Sequence, residues 1–385
     1  TKILTPPSRL PSPPRGPRRG FSPPHCPNRD CSAYVPQPGW TAPRDGFYRR
    51  PSDGRRFQRF RCRLCARRFS TRTFAPDYWL RRRDLLLPSA RFATEGPGLR
   101  QAARLLHTTH DTVGRLLSRA GRHALLLHQR LLPPQIRREP IAFDGFETFE
   151  FSQFFPFHLN LAVGAHSWFL YHFTDSPLRR KGAMTAAQKR RRAELEDRLG
   201  RPDPKAVEQG IVELLRPLQA RVPAGAVFPL RCDAHPAYPR ACRRLRPPGT
   251  PALRPAITRS TERRTPANPL FAVNLTDLLL RHSQAAHRRE TIAFCKRRQG
   301  ALERLAVLTV WRNLIKWRRE KVPGETAAMA AGVCSQPWSW EKVFADRQFP
   351  RRELLPGPWW EYYWRRVRTA ALGDAQTAQR LRYAF

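Results

Sequence analysis

Two pairs of cysteines near the N-terminus constrain the fold more than any other feature of the chain. They lie in the segments HCPNRDC and RFRCRLCARRF and are Cys26, Cys31, Cys62 and Cys65. A structural zinc ion binds four deprotonated thiols in a tetrahedron, and two short turns that each carry two cysteines can supply them. The sequence therefore predicts a zinc ribbon over residues 25–75, with Zn²⁺ as a structural ion.

Details of this segment indicate how the ribbon is built. Four residues separate Cys26 from Cys31 where two are commoner, so we expect a wider first turn. The alternative to a zinc site is that the four cysteines are unrelated buried thiols. His25 is expected to be a surface residue rather than a spare ligand. Aromatic and basic residues alternate around the second pair, which is typical of a short hairpin with one face on the metal and one facing phosphate. The aromatic residues are Phe57, Phe60 and Phe69.

The charge of the chain favours a polyanionic partner. Lys and Arg number 71 against 30 Asp and Glu, which gives a formal net charge of +41. Such an excess binds phosphate backbones through counterion release, although a G+C-rich genome also inflates arginine. The charge favours nucleic acid as the partner, with a ribosomal or membrane-surface role as the alternatives, and beside a zinc ribbon we expect double-stranded DNA. No apolar run reaches the roughly 18–20 residues of a membrane span and no signal peptide is recognised, so we expect a cytoplasmic, nucleoid-associated protein without a membrane partner.

The pattern along the chain predicts a multidomain α/β protein. A Pro/Arg-rich arm cannot bury enough apolar surface to fold, and the later segments switch between helical and strand periodicity. The predicted parts are a disordered basic arm (1–24), the zinc ribbon (25–75), a helix-turn-helix (90–130), a mixed-sheet α/β domain (138–320) with a charged helical insertion (179–218), and an aromatic helical tail of unknown role (321–385).

Residues 97–128 carry the spacing of two helices. A polar break over 107–111 supplies Thr109 or Asp111 as the N-cap of the second helix. We interpret the pair as a helix-turn-helix, with a two-helix hairpin in an all-α core as the alternative. The second helix, over 111–122, is then the recognition helix, and it would present to a DNA groove the side chains of Arg115, Arg119 and Arg122.

Two aspartates end apolar strands in the α/β domain. Asp144 lies in IAFDGFE and Asp233 in VFPLRCDAHPAY, and helices follow over about 269–320. Functional side chains converge at strand ends of open α/β sheets. Adjacent carboxylates repel unless a cation bridges them, and paired divalent ions about 3.5–4 Å apart serve phosphodiester cleavage. Mg²⁺ or Mn²⁺ suits such an all-oxygen site, to which a helix normally adds a third acid.

At these residues the chain resembles a family. The order of zinc ribbon, helix-turn-helix and α/β domain, together with the segment RFRCRLCARRFSTRTF, resembles the DDE transposases of bacterial insertion sequences, in particular the group named for insertion sequence one. RCDAHPAY stands where that family has Thr-Asp-Gly-x-Pro-x-Tyr. LLLRHSQAAHRRETIAFCK stands where it has Leu-Arg, a basic helix and Thr-Ile-Cys-Phe-Ser-Lys. The resemblance covers roughly residues 25–320.

The resemblance implies a ribonuclease-H-like catalytic domain in which Asp144 and Asp233 are the first two metal ligands. The family then has a Glu three residues before an Asn, whereas this chain has Asn274 and Asp277 at those positions. We take Asp277 as the third ligand, with Asn274 as a neutral ligand or outer donor. Glu290 is the rival. Two further glutamates are less favoured as the third ligand. Glu262 is expected in a charged loop and Glu303 on a solvated helix face.

Basic residues around the same helix are expected to hold the phosphate backbone without reading sequence. His235 could orient a ligand or the scissile phosphate. The residues assigned to DNA binding here are Arg281, Arg288 and Arg289, and His282, Lys296, Arg297 and Arg298 are their neighbours.

The resemblance implies a DNA transposase that binds the ends of its element as a homodimer or larger assembly. It would cleave DNA and then join it to target DNA with a 3′-hydroxyl as nucleophile. One alternative is a catalytically inactive or domesticated transposase-derived DNA-binding protein, which the exchange at Asn274 and Asp277 supports. Another is a ribosome-associated zinc-ribbon protein, which leaves Asp144 and Asp233 unexplained.

Overall fold

The computed structural model describes residues 20–136, 139–223, 225–246, 249–259, 261–288 and 291–373. The chain divides into two compact units, one ending at Thr73 and the other beginning at Phe74. Most of the predicted basic arm lies outside the described residues. Within the described ranges, no helix is both long and apolar enough to cross a membrane.

The first unit contains the predicted hairpin, extended to three antiparallel strands. These are β1 (Arg44–Arg49), β2 (Arg56–Arg61) and β3 (Arg68–Ser70), in the order β1-β2-β3. Phe60 and Phe69 are register partners on β2 and β3, and their buried rings stack with centroids 5.8 Å apart. The arginines that alternate with them are largely exposed. The alternation seen in the sequence thus separates an aromatic core from a basic surface.

The second unit is built on a mixed five-stranded sheet in the order β6-β5-β4-β7-β8. Strands β4 to β6 are antiparallel neighbours, whereas β7 and β8 run parallel to β4. Helices pack on the sheet, and most residues of β5 and β6 are buried, which explains their near-continuous apolar sequence. The strands are β4 (Ile141–Phe149), β5 (Pro156–Gly164), β6 (Leu170–Pro177), β7 (Val227–Cys232) and β8 (Ala252–Ile257).

Helices and one small hairpin complete this unit and establish the α/β class. Helix α7 packs on β4 and β5, while α5 packs on β5 and β6. A π-helical turn at Trp311–Ile315 extends α8. The elements are α1 (Leu86–Phe92), α2 (Leu99–Leu105), α3 (His110–Leu131), α4 (Ala186–Leu199), α5 (Ala206–Gln219), α6 (Ala237–Arg244), α7 (Phe271–Ser283), α8 (Arg298–Val310), β9 (Trp317–Arg319), β10 (Val322–Thr326), α9 (Ala327–Ala330), α10 (Trp340–Ala345) and α11 (Gly357–Tyr363).

The two predicted helices of the helix-turn-helix segment are present as α2 and α3. Thr109 caps α3, because its hydroxyl accepts a hydrogen bond from the backbone N–H of Thr112 at 3.2 Å. A small cluster of buried apolar side chains joins the two helices, formed by Ala102, Ala103, Val113 and Leu117. Helix α3 then continues to Leu131 and packs along α8 inside the second unit. The pair therefore shares a compact unit with the sheet.

The predicted helical insertion is helical, but its second helix belongs to the core. Helix α4 is mostly exposed and charged, as expected. Helix α5 instead packs on the sheet, and it buries Ile211, Leu214, Leu215 and Leu218. The interpretation as an insertion is wrong for α5, because its apolar stripe covers strands β5 and β6.

The C-terminal tail is also part of the core rather than an appendage. The Trp359 side chain is fully buried, and its Nε1 donates a hydrogen bond to the carbonyl oxygen of Phe173 on β6 at 2.8 Å. Tyr362 and Tyr363 are buried beside α3 and α8. The aromatic residues of α11 therefore fill space between the sheet and two helices.

Candidate metal centres and nucleic-acid interface

The four N-terminal cysteines converge on one point. Their Sγ atoms all lie within 4.8 Å of one another, and two of the separations are 3.6 Å (Cys26 to Cys65) and 3.9 Å (Cys31 to Cys62). A tetrahedron with Zn–S bonds of about 2.3 Å has sulfur–sulfur edges of about 3.8 Å. The geometry of the cluster therefore fits a zinc ion, and the four-residue spacing of the first pair does not prevent it.

The surroundings of the cluster favour a bound cation. Burial raises the pKa of the Cys26 and Cys31 thiols, so these two sulfurs need a cation to hold them as thiolates. The backbone N–H of Asn28 donates to Sγ of Cys26 at 3.4 Å. His25 is fully buried, not a surface residue as expected, and its Nδ1 lies 3.0 Å from the carbonyl oxygen of Cys26. It is not part of the four-ligand cluster.

Asp144 and Asp233 lie at the same level of two neighbouring parallel strands. Ala142 of β4 pairs with Arg231 of β7, and each aspartate lies two residues further along its own strand direction. Asp233 immediately follows the end of β7, as predicted. Asp144 lies within β4 rather than at its end, because β4 continues beyond β7 as an antiparallel partner of β5.

Both aspartates are held by local hydrogen bonds. Oδ1 of Asp144 accepts from the backbone N–H of Gly145 at 2.7 Å and from the Tyr238 hydroxyl at 3.1 Å. Oδ1 of Asp233 accepts from the backbone N–H of His235 at 2.9 Å. Burial raises the pKa of Asp144, and the negative charge of Asp233 raises it further. The two carboxylates therefore repel each other, and a cation bound to both would relieve that repulsion.

Asp277 reaches the same region from helix α7. This helix packs on β4, and one turn after Asp277 the guanidinium of Arg281 lies 4.7 Å from the ring centroid of Phe146. Oδ1 of Asp277 is buried, and none of the described residues donates a hydrogen bond to it. Burial and the charge of Asp144 raise the pKa of Asp277 to about 8, although Arg281 and Arg264 oppose the shift.

The three side chains offer carboxylate oxygens, which are the type of ligand that a hard divalent ion prefers. Burial raises the pKa of Asp144 and of Asp277, and a neighbouring carboxylate raises each further, Asp233 for Asp144 and Asp144 for Asp277. Their ligand atoms are not gathered as tightly as the thiols. Among the described residues, only the cysteine cluster has three or more Asp, Glu, His or Cys ligand atoms all within 4.8 Å. The half-buried Asn274 lies one helical turn before Asp277.

The rival third acids are placed differently. Glu290 lies outside the described residues. Glu262 is exposed in a loop, as expected, and accepts a hydrogen bond from the backbone N–H of Arg259. Glu303 is buried rather than solvated, since its Oε1 accepts hydrogen bonds from Ser118 at 2.8 Å and Arg365 at 2.9 Å. Glu303 therefore holds three segments of the second unit together.

Sequence reasoning missed His158, which borders the aspartates. A Cβ atom on Gly145 would lie 2.5 Å from Nδ1 of His158, so the glycine beside Asp144 leaves room for this imidazole. The His158 ring lies 6.3 Å from the His235 ring, and burial lowers the pKa of His158 to about 4. No signal in the sequence could have found it, because a lone histidine within an apolar strand is ordinary.

Only one of the three arginines predicted on the recognition helix is available to a groove. Arg115 is exposed. Arg119 is buried and donates to the carbonyl oxygen of Tyr78 at 3.0 Å. Arg122 is also buried, and its Nε donates to the carbonyl oxygen of Tyr363 at 2.8 Å. The expectation is wrong for Arg119 and Arg122, because α3 enters the core beyond its first two turns.

The arginines around α7 have mixed roles. Arg281 is half-buried over Phe146. Arg288 is exposed and donates to the carbonyl oxygens of Arg281 and His282 at 3.3 and 3.2 Å, at the C-terminal end of α7. Arg289 lies outside the described residues. Arg298 pairs with Asp175 at 3.1 Å and has little exposure, so its contact is structural.

No protein-family model matches the chain, and no curated protein matches it.

Proposed function

We propose that the protein is a DNA transposase of the insertion-sequence type, which cleaves phosphodiester bonds with divalent metal and transfers the strand. One observation carries the proposal: Asp144 and Asp233 lie at one level of adjacent parallel strands, and Asp277, on a helix packed against β4, is close enough for the charge of Asp144 to raise its pKa. The mixed sheet supports a ribonuclease-H-like catalytic domain. A cysteine cluster of zinc geometry in a separate compact unit supports the rest of the family's domain order.

In this proposal each side chain has a defined task. Asp144, Asp233 and Asp277 hold Mg²⁺ or Mn²⁺, which would activate the attacking hydroxyl and stabilise the leaving oxygen of the phosphodiester. Tyr238 fixes the orientation of Asp144 through its hydroxyl. Arg281 places a positive charge one turn from Asp277, where it opposes protonation of that carboxylate. The zinc unit and exposed arginines hold the DNA.

A cleavage assay tests this function. The purified protein is incubated with supercoiled plasmid, and with a duplex that carries the terminal repeat of its own element, with Mg²⁺, with Mn²⁺ or with chelator. We expect metal-dependent cleavage that Asp144→Asn and Asp233→Asn abolish while DNA binding stays near normal. Glu262→Gln, which removes an exposed acid outside the site, is the matched control. Activity that survives in Asp144→Asn or Asp233→Asn would contradict the two-metal mechanism.

A second candidate function is DNA binding without catalysis. The observation that favours it is the exchange of acid and amide at Asn274 and Asp277 relative to the family, together with the raised pKa of Asp277. It predicts that the wild-type protein binds DNA but does not cleave it with either metal.

A further inference from the structure

A large basic cleft lies in the second unit, away from the three aspartates. Its volume is about 1700 Å³, larger than the roughly 300–1,000 Å³ of most small-molecule sites. Its lining comes from helices α2 and α3 (the helical side), from residues 364–373 of the tail (the tail side) and from residues 291–300. The cleft therefore joins the helix-turn-helix segment to the tail, whose role the sequence does not indicate.

Positive charge dominates this cleft. Exposed arginines line both sides, Arg100, Arg104 and Arg115 on the helical side and Arg366 and Arg368 on the tail, where Arg366 also pairs with Glu361 at 3.4 Å. Among the described residues that line it, only two are acidic, Asp111 and Glu303.

Neither acid neutralises the helical side. Glu303 is already paired with Arg365 at 2.9 Å. Within the described part of the chain, no carboxylate lies within ion-pair distance of Arg100, Arg104 or Arg115. Like charges gathered in one concave surface repel one another and concentrate anions there.

We infer that this cleft binds the phosphodiester backbone of DNA, and that the tail arginines Arg366 and Arg368 grip the strand together with Arg100, Arg104 and Arg115. The inference rests on the proposed function only in taking DNA as the partner. It deepens that function because it adds the C-terminal segment to the DNA-binding surface. A polymer fits better than a small anion, since the exposed arginines come from two helices and the tail rather than from one segment, and the cleft is larger than a small-molecule site.

The test compares three double variants with equal loss of charge. Arg100→Ala/Arg104→Ala removes the helical side and Arg366→Ala/Arg368→Ala removes the tail side. Arg190→Ala/Arg198→Ala, on the exposed face of α4 outside the cleft, is the matched control. Affinity for a fluorescent mixed-sequence duplex, and for one of its single strands, is measured over a range of KCl concentrations.

We expect each cleft pair to weaken binding by roughly 10- to 100-fold near 0.1 M salt. The slope of log affinity against log salt should fall by about 1.8 for duplex and about 1.4 for single strand, since each lost phosphate contact removes about 0.9 or 0.7. If only the duplex or only the single strand loses affinity in these variants, that is the form of DNA that the cleft binds. Arg366→Lys/Arg368→Lys should restore most of the affinity, because it keeps the charges, and this excludes misfolding as the cause.

Two negative results can be told apart. If the wild type binds DNA but the tail pair behaves like the α4 control, the cleft inference fails and the proposed function stands. If the wild type binds neither duplex nor single strand, the inference and the proposed function both fail.

Discussion

Gly121 of α3 lies directly against the backbone of Glu303 on α8. A Cβ atom at position 121 would come within 2.4 Å of the Glu303 carbonyl oxygen and 2.8 Å of its Cα. The absence of a side chain at this point is what lets the two helices pack along each other. The same contact brings Glu303 within reach of Ser118, so a glutamate expected on a solvated helix face is instead a buried helix–helix link.

Gly121→Ala should destabilise the second unit by about 1–3 kcal/mol, because backbone atoms cannot yield to the added methyl group as a flexible side chain would. Gly114→Ala on the same helix is the matched control. Nothing lies within 4 Å of its Cβ position, so it should stabilise by up to about 1 kcal/mol through helix propensity. Denaturant unfolding measures both. Equal stability of the two variants would contradict the close contact.

Asp277→Asn should reduce metal-dependent cleavage by roughly 100-fold or more if Asp277 is the third ligand, because the amide cannot supply the missing negative charge. Glu290→Gln is compared in the same assay, and DNA affinity is the control for folding. Cleavage that survives in Asp277→Asn and disappears in Glu290→Gln would assign the third position to Glu290.

Cys65→Ser should release one zinc ion per chain and unfold the first unit, because the binding energy of a structural zinc is folding energy. Metal analysis and protease resistance of residues 20–73 measure the effect. Cys334→Ser, at a half-buried thiol outside the cluster, should leave the zinc content unchanged. Wild-type protein without zinc would overturn the ribbon.

His172→Phe should make the second unit less sensitive to acid. Both ring nitrogens of His172 are buried, none of the described residues hydrogen-bonds them, and the ring lies 4.6 Å from that of Trp359. Burial lowers the pKa of His172 to about 3, against 6.5 for an ordinary histidine. Between these values the unfolded chain binds a proton that the folded chain does not, so stability falls as the pH falls.

The measurement is the free energy of unfolding between pH 7 and pH 4. One such histidine contributes up to about 1.4 kcal/mol per pH unit, and His172→Phe removes that slope. His166→Phe, at an exposed position, is the control. An unchanged slope in His172→Phe would show that this group does not drive the acid response.

Local patterns in the sequence were enough to predict the features that depend on residues close together in the chain. Cysteine spacing predicted the four-thiol cluster, and the polar break before α3 predicted Thr109 or Asp111 as its cap, of which Thr109 is the one observed. Apolar runs predicted strands β4 and β7, including Asp233 directly after β7. Each of these signals acts over a few residues, where chain geometry leaves little choice.

Long-range packing decided the rest. Arg122 appeared to be a groove-facing arginine, yet its partner is Tyr363, 241 residues further along the chain. Trp359 belongs to a tail whose role the sequence did not indicate, and it fills the core beside Phe173, 186 residues earlier. The resemblance proposed Asp277 as the third ligand, but its burial and its closeness to Asp144, which raise its pKa, are features of the tertiary structure. The sequence by itself determined which residues can form the local elements and clusters. The tertiary structure determined which of them are buried, because burial depends on partners that are distant in the chain.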